Sequence, residues 1–217
     1  MKTKGTVLIL LVAFLLFTAV TTLVVTESAP VQVFNDALYA PIAERITPTL
    51  TTISTVIGSL THWYSYAPII LLLLIIPRTR MKIGLPIGIT VGISAILGPI
   101  ILKNIFAIER PDVNQLISPG GFGYPSGHSM NAVVFFGMCT LMVLRYATKK
   151  WLKIAFTVFA VLSILAVGLS RVYLGVHVVT DVIGGYLAGI VVLCAAILIE
   201  GRLEGRKSEV TSDEKSK

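Results

Sequence analysis

Charged side chains are scarce in this sequence. Asp, Glu, Lys and Arg together make up 13% of its 217 residues, against 55% hydrophobic, whereas a soluble domain carries about 25% charged. So little charge excludes an ordinary water-soluble globular domain and turns the reading toward the membrane. Cysteine is almost missing: Cys139 and Cys194 fall inside apolar runs, where a thiol behaves as a small hydrophobe. They predict no disulfide and say nothing about redox compartment. No internal repeat is evident, which argues against a transporter built from inverted halves. Nor does a small-x-small cleavage site follow the first apolar run, which is longer than the roughly 7–15 residues of a signal-peptide core; a retained helix is expected there.

What the sequence has is apolar length. A hydrocarbon core of about 30 Å takes about 20 helical residues to cross. Runs of that order occur near 5–26, 61–77, 83–107, 126–147, 152–170 and 177–199. The expected fold class is an all-α integral membrane protein with six transmembrane helices over residues 1–201. The polar tail 202–217 has no aromatic residue and is expected to be disordered in the cytoplasm.

The net charge of +7 follows topology rather than a nucleic-acid patch. With the amino terminus cytoplasmic, the inside segments hold Lys2, Lys4, Arg78, Arg80, Lys82, Arg145, Lys149, Lys150, Lys153, Arg202, Arg206, Lys207, Lys215 and Lys217, which is 14 of the 18 Lys and Arg. The positive-inside rule then puts both termini in the cytoplasm. Arg45, Lys103, Arg110 and Arg171 remain at the outer surface, and each requires a local reason.

Several features read as membrane architecture. Between residues 27 and 60, Phe34, Leu38, Ile42 and Ile46 recur every four residues, and Leu50, Ile53 and Ile57 resume after Pro48. One or two short amphipathic helices in the interface fit this pattern, with an irregular covering loop as the alternative because Pro41 and Pro48 interrupt it. His62 sits among Trp63, Tyr64 and Tyr66, where an aromatic belt belongs, and reads as interfacial rather than catalytic. Gly84, Gly88 and Gly92 in the third span and Gly185 and Gly189 in the sixth have the spacing of close helix packing. Pro99 is expected to bend the third helix one turn before Lys103.

Three segments bring ionisable residues to the outer face at one depth. Lys103 and Arg110, at the end of the third span, are expected on one helical face about 10 Å apart along the axis, with Pro111 stopping the helix. Pro125-Ser126-Gly127-His128 opens the fourth span; a helix start offers unpaired N–H groups, Gly127 keeps no side chain in the way, and Ser126 serves as cap or as anion ligand. In Ser170-Arg171 through His177 to Asp181, the spacing of four sets His177 and Asp181 side by side on the sixth helix. The carboxylate can then fix the tautomer of His177 and leave the other ring nitrogen as nucleophile or base. Three cations around a helix start call for a multiply charged anion, and phosphate fits. Two histidines can divide the work of phosphoryl transfer, one attacking phosphorus and one carrying the proton of the leaving oxygen.

On these residues the chain resembles the type 2 phosphatidic acid phosphatase family. That family's signature, Lys-x6-Arg-Pro, Pro-Ser-Gly-His and Ser-Arg-x5-His-x3-Asp, stands intact and in order at 103–111, 125–128 and 170–181. The resemblance implies a membrane lipid phosphatase in which His177 forms a phosphohistidine, Asp181 orients it and His128 protonates the leaving oxygen and then activates water. Lys103, Arg110, Ser126, Gly127 and Arg171 would bind the phosphate. It further implies no metal and a lipid phosphate substrate drawn from the bilayer; no cofactor and no obligate protein partner are expected, and the positive-inside reading sets the site at the outer face of the plasma membrane. The outward-facing site and small size resemble bacterial enzymes acting on undecaprenyl diphosphate or phosphatidylglycerophosphate, with phosphatidate and other lipid phosphates as further substrates. A phosphotransferase passing the phosphoryl group to another lipid, and a non-enzymatic lipid transporter, are the alternatives.

Overall fold

A computed structural model describes residues 3–111 and 113–215, with residues 63 and 204–215 described by their backbone alone. Lys2, Asp112 and Lys217, and the side chains of Arg206, Lys207 and Lys215, therefore lie outside the described residues. Every regular element among those described is helical: α1 Thr3–Val25, α2 Ala29–Ala43, α3 Pro48–Leu60, a 3-10 turn Trp63–Tyr66, α4 Ala67–Ile75, α5 Pro77–Phe106, α6 Gly127–Tyr146, α7 Lys150–Tyr173 and α8 Val179–Lys215. The charged segment for which a disordered tail is expected continues α8 as far as Lys215.

Five of these helices, α1, α5, α6, α7 and the Val179–Leu203 part of α8, are long and apolar enough to cross a membrane. The expected second span over 61–77 is not one continuous helix. The chain turns by 68° between α3 and the stretch Tyr64–Ile75, and a sixth crossing exists only if that bent pair is taken as one. The segment 27–60 holds two helices, α2 and α3, parted by the non-helical residues 44–47, as its periodicity suggests. Thr47 caps α3 by accepting the Leu50 N–H at 3.3 Å, and Pro48 takes the first-turn position where no N–H is missed.

The core sits around α6. Over its apolar window 56% of residues are buried, against 6% for α1, so α6 is the central helix and α1 a peripheral one. Met130, Val134, Phe135 and Met138 of α6 pack with Ile87 and Val91 of α5, Ala188 and Val192 of α8, and Tyr66, whose ring stacks on Phe135 at 3.9 Å. Gly185 and Gly189 let α8 approach α6 closely: a Cβ at either would meet the Ser126 or Met130 carbonyl. The same reading holds for Gly84 against the Leu73 backbone and Gly88 against Ile70, but a Cβ at Gly92 would meet nothing within 4 Å. Gly92 is therefore not a packing contact among the described residues.

Pro99 lies in a π-helical stretch of α5, Leu97–Leu102, which absorbs its missing N–H by widening the turn. The helix then stops at Phe106, where Ala107 adopts a left-handed conformation with φ 49°. Lys103 and Arg110 consequently do not share a helical face. Lys103 is in the last turn of α5, and Arg110 follows on non-helical chain, so the stop comes five residues before Pro111.

Candidate active site

The cationic residues are anchored by backbone carbonyls. Buried Lys103 donates from Nζ to the Phe122 carbonyl at 2.6 Å. Arg110 donates through Nε and Nη2 to the carbonyls of Gly121 and Gly120 at 3.0 and 2.9 Å, and through Nη1 to that of Val176 at 2.6 Å. Arg171, 4% exposed, donates to the Ser170 hydroxyl at 3.1 Å and to the Ser54 carbonyl at 3.0 Å. Its guanidinium lies flush on Gly58, where any Cβ would collide with it. Among the described residues no carboxylate is within ion-pair distance of these three cations. Carbonyl dipoles hold them in place while leaving their charge for an anion.

The start of α6 forms the second part. The buried Ser126 hydroxyl accepts the Ser129 N–H at 3.4 Å and the Ser129 hydroxyl at 3.0 Å. Ser126 is thus a helix cap and does not line the cavity, whereas Gly127 and His128 do. Its own N–H donates to the Asp181 carbonyl at 3.0 Å, which ties the start of α6 to that of α8.

His177 and Asp181 form the third part, by a route other than a shared helical face. His177 precedes α8, which begins at Val179. Asp181 Oδ2 accepts the Val178 N–H at 3.2 Å and lies 3.1 Å from His177 Nδ1. The carboxylate reaches back from the first turn, as the acidic member of a capping box does, and orients the imidazole on the same oxygen. Arg110 Nη1 is 3.5 Å from His177 Nε2. A guanidinium can only donate, so Nε2 carries the lone pair and Nδ1 the hydrogen. Burial pushes this histidine down to about 4, with the Asp181 carboxylate opposing the shift and Lys103 and Arg110 reinforcing it.

Lys103, Arg110, Gly127, His128, Arg171 and His177 line one cavity of about 510 Å³. Ser126 and Asp181 stand immediately behind it. Its wall includes residues that no sequence motif singled out: Gly58 and His62 from the α3 corner, and Gly120 to Phe122, whose carbonyls hold Lys103 and Arg110. The His62 ring is 5.2 Å from that of His128, edge to face. Its aromatic neighbours in the sequence look like an interface belt, so no local signal separates it from one. Among the described residues, no three His, Cys, Asp or Glu side chains are grouped as metal ligands are.

This arrangement can neutralise a multiply charged anion, present an unprotonated imidazole nitrogen to it and hold a second imidazole alongside. Comparison with known proteins agrees in kind. The family model for the PAP2 superfamily matches residues 6–204. The chain is 34% identical to an undecaprenyl-diphosphatase of Sulfolobus acidocaldarius over 173 residues, 77% of this chain and 79% of that one. It is 37% identical to phosphatidylglycerophosphatase B of Bacillus subtilis over 109 residues, 49% of this chain and about half, 53%, of that relative's length. The crystal structure of a transmembrane PAP2 type phosphatidylglycerolphosphate phosphatase from Bacillus subtilis superposes with a TM-score of 0.79 at 27% identity, covering 89% of this chain and 96% of that one.

Proposed function

The chain belongs to the PAP2 superfamily, and from that premise we propose that it is an integral membrane phosphatase hydrolysing a lipid phosphomonoester or diphosphate through a phosphohistidine. The observation that carries this reading is the state of His177. Its Nδ1–H is committed to Asp181 and its Nε2 lone pair lies beside Arg110 on the wall of a cationic cavity.

In the first step His177 Nε2 attacks phosphorus and the bond to the leaving oxygen breaks in line, with His128 donating the proton that oxygen needs. The imidazolium character that develops on His177 is stabilised by Asp181. In the second step His128 takes a proton from water, the water oxygen bonds to phosphorus, and the P–N bond breaks to release inorganic phosphate. Lys103, Arg110 and Arg171 neutralise the nonbridging oxygens throughout, and the Gly127 backbone N–H at the start of α6 donates to them. Ser126 acts through its cap, by holding that helix start. This chemistry draws on no metal or cofactor; three cations in one cavity would repel a divalent ion.

The substrate class is supported by the names of the relatives, which act on phosphatidylglycerophosphate and undecaprenyl diphosphate. The bias of Lys and Arg supports cytoplasmic termini, α2 and α3 at the outer interface, and an outward-facing site in the plasma membrane. The test is release of inorganic phosphate by purified protein from a panel of phosphatidylglycerophosphate, undecaprenyl diphosphate and phosphatidate, compared as kcat/KM. Transfer of phosphate to a lipid acceptor in place of release would overturn the hydrolase reading.

A further inference from the structure

The chain has three histidines, and the proposed reaction employs two. The third, His62, stands at the corner between α3 and the 3-10 turn and lines the same cavity. Its ring meets His128 edge to face at 5.2 Å, and the Tyr64 ring lies against it at 4.2 Å. The corner is held by its own hydrogen bonds. The Ser65 N–H donates to the His62 carbonyl at 2.9 Å, the Ser65 hydroxyl to the Ser59 carbonyl at 2.6 Å, and the Thr61 hydroxyl to the Ile57 carbonyl at 2.7 Å. His62 is therefore presented by a fixed turn, as a recognition group needs to be.

In-line displacement puts the leaving oxygen opposite the attacking nitrogen. His128, as donor to that oxygen, marks the leaving-group end of the reacting axis, and whatever the oxygen is bonded to lies beside His128 and its neighbours. In a monoester that neighbour is a carbon. In a diphosphate it is a second phosphoryl group, with charged nonbridging oxygens that need donors. The three cations are engaged with the transferred phosphoryl group, and His62 is the ring that flanks His128. The cavity of about 510 Å³ extends to it.

Resting on the lipid-phosphatase reading, we propose that His62 determines specificity, donating a ring N–H to the second phosphate of a lipid diphosphate and so favouring diphosphates over monophosphates. A site that bonds a polar group discriminates against substrates lacking it far more sharply than an apolar pocket does.

The experiment compares a prenyl phosphate and a prenyl diphosphate of equal chain length with the purified full chain in detergent. His62→Ala should lower kcat/KM for the diphosphate about tenfold or more and for the monophosphate less than about threefold. His62→Gln, which keeps an N–H donor, should recover part of that ratio. A measurable, parallel fall on both substrates, or an unchanged ratio, overturns the proposal. If His62→Ala is inactive on both, the ratio in His62→Gln decides: a lowered ratio supports the assignment, and an unchanged ratio or loss of both activities overturns it. Failure of the wild-type protein to release phosphate from either substrate would instead sink the phosphatase reading, before any variant is compared.

Discussion

His177 Nδ1 and Asp181 Oδ2 are 3.1 Å apart, and the same carboxylate oxygen accepts the Val178 N–H at 3.2 Å. One acid therefore does two jobs, closing the first turn of α8 and setting the tautomer of the imidazole just before it.

Removing the proposed nucleophile should remove the reaction. His177→Ala is expected to lower phosphate release about 10³-fold or more while the protein still fractionates with membranes. Asp181→Asn should retain the cap geometry but lose the charge that supports the imidazolium, at a cost of about 10²-fold or more in kcat. Full turnover by His177→Ala would remove the covalent step from the mechanism.

The ionisation of His177 gives a pH prediction. Burial lowers it from an ordinary 6.5 to about 4, so folding favours the neutral ring. Its contribution to stability is complete above 6.5 and is lost as pH falls through about 4. Imidazole NMR, assigned with a His177→Asn variant, should find this ring still neutral at about pH 5. A midpoint near its ordinary value would show that the ring is not desolvated in the folded protein.

Gly58 makes room for Arg171, since any Cβ there would strike the guanidinium. Gly58→Ala is expected to raise KM and weaken inhibition by inorganic phosphate about tenfold, with a smaller change in kcat. In an Arg171→Lys background the same substitution should cost little more, because the planar group it displaces is already gone. Additive losses would mean that Gly58 acts elsewhere.

Phosphate release should persist in excess EDTA and be blocked by vanadate, which adopts the trigonal-bipyramidal geometry of phosphoryl transfer. Activity restored only by adding Mg²⁺ back would require a different mechanism.

How much of this was legible beforehand differs from residue to residue. Lys103, Arg110, His128, Arg171 and His177 were all marked by motif spacing, and all line the same cavity. Their backbone setting was not marked. Arg110 was expected on the helix of Lys103, but Ala107 turns left-handed and ends it. His177 was expected within the last helix and instead stands before it, because the carboxylate of Asp181 caps the helix start. His177 and Asp181 stay paired all the same, since a spacing of four residues limits how far apart two side chains can be whether or not the chain between them is helical, and Lys103 and Arg110 reach the same cavity from either side of Ala107.

Membrane class and the candidate site residues were legible in the sequence alone. Long apolar runs need a bilayer to bury them, and ionisable groups placed at their ends are costly enough to mark a site without any knowledge of packing. Only the tertiary structure decided which distant segments share that site. Ser54, Gly58 and His62 carry no local signal, and their parts arise from contacts with Arg171 and His128 more than sixty residues along the chain. Such contacts are set by how α3 packs on α7 and how α6 lies among its neighbours. Side-chain volume across the whole bundle governs that packing, and no single stretch of sequence contains it.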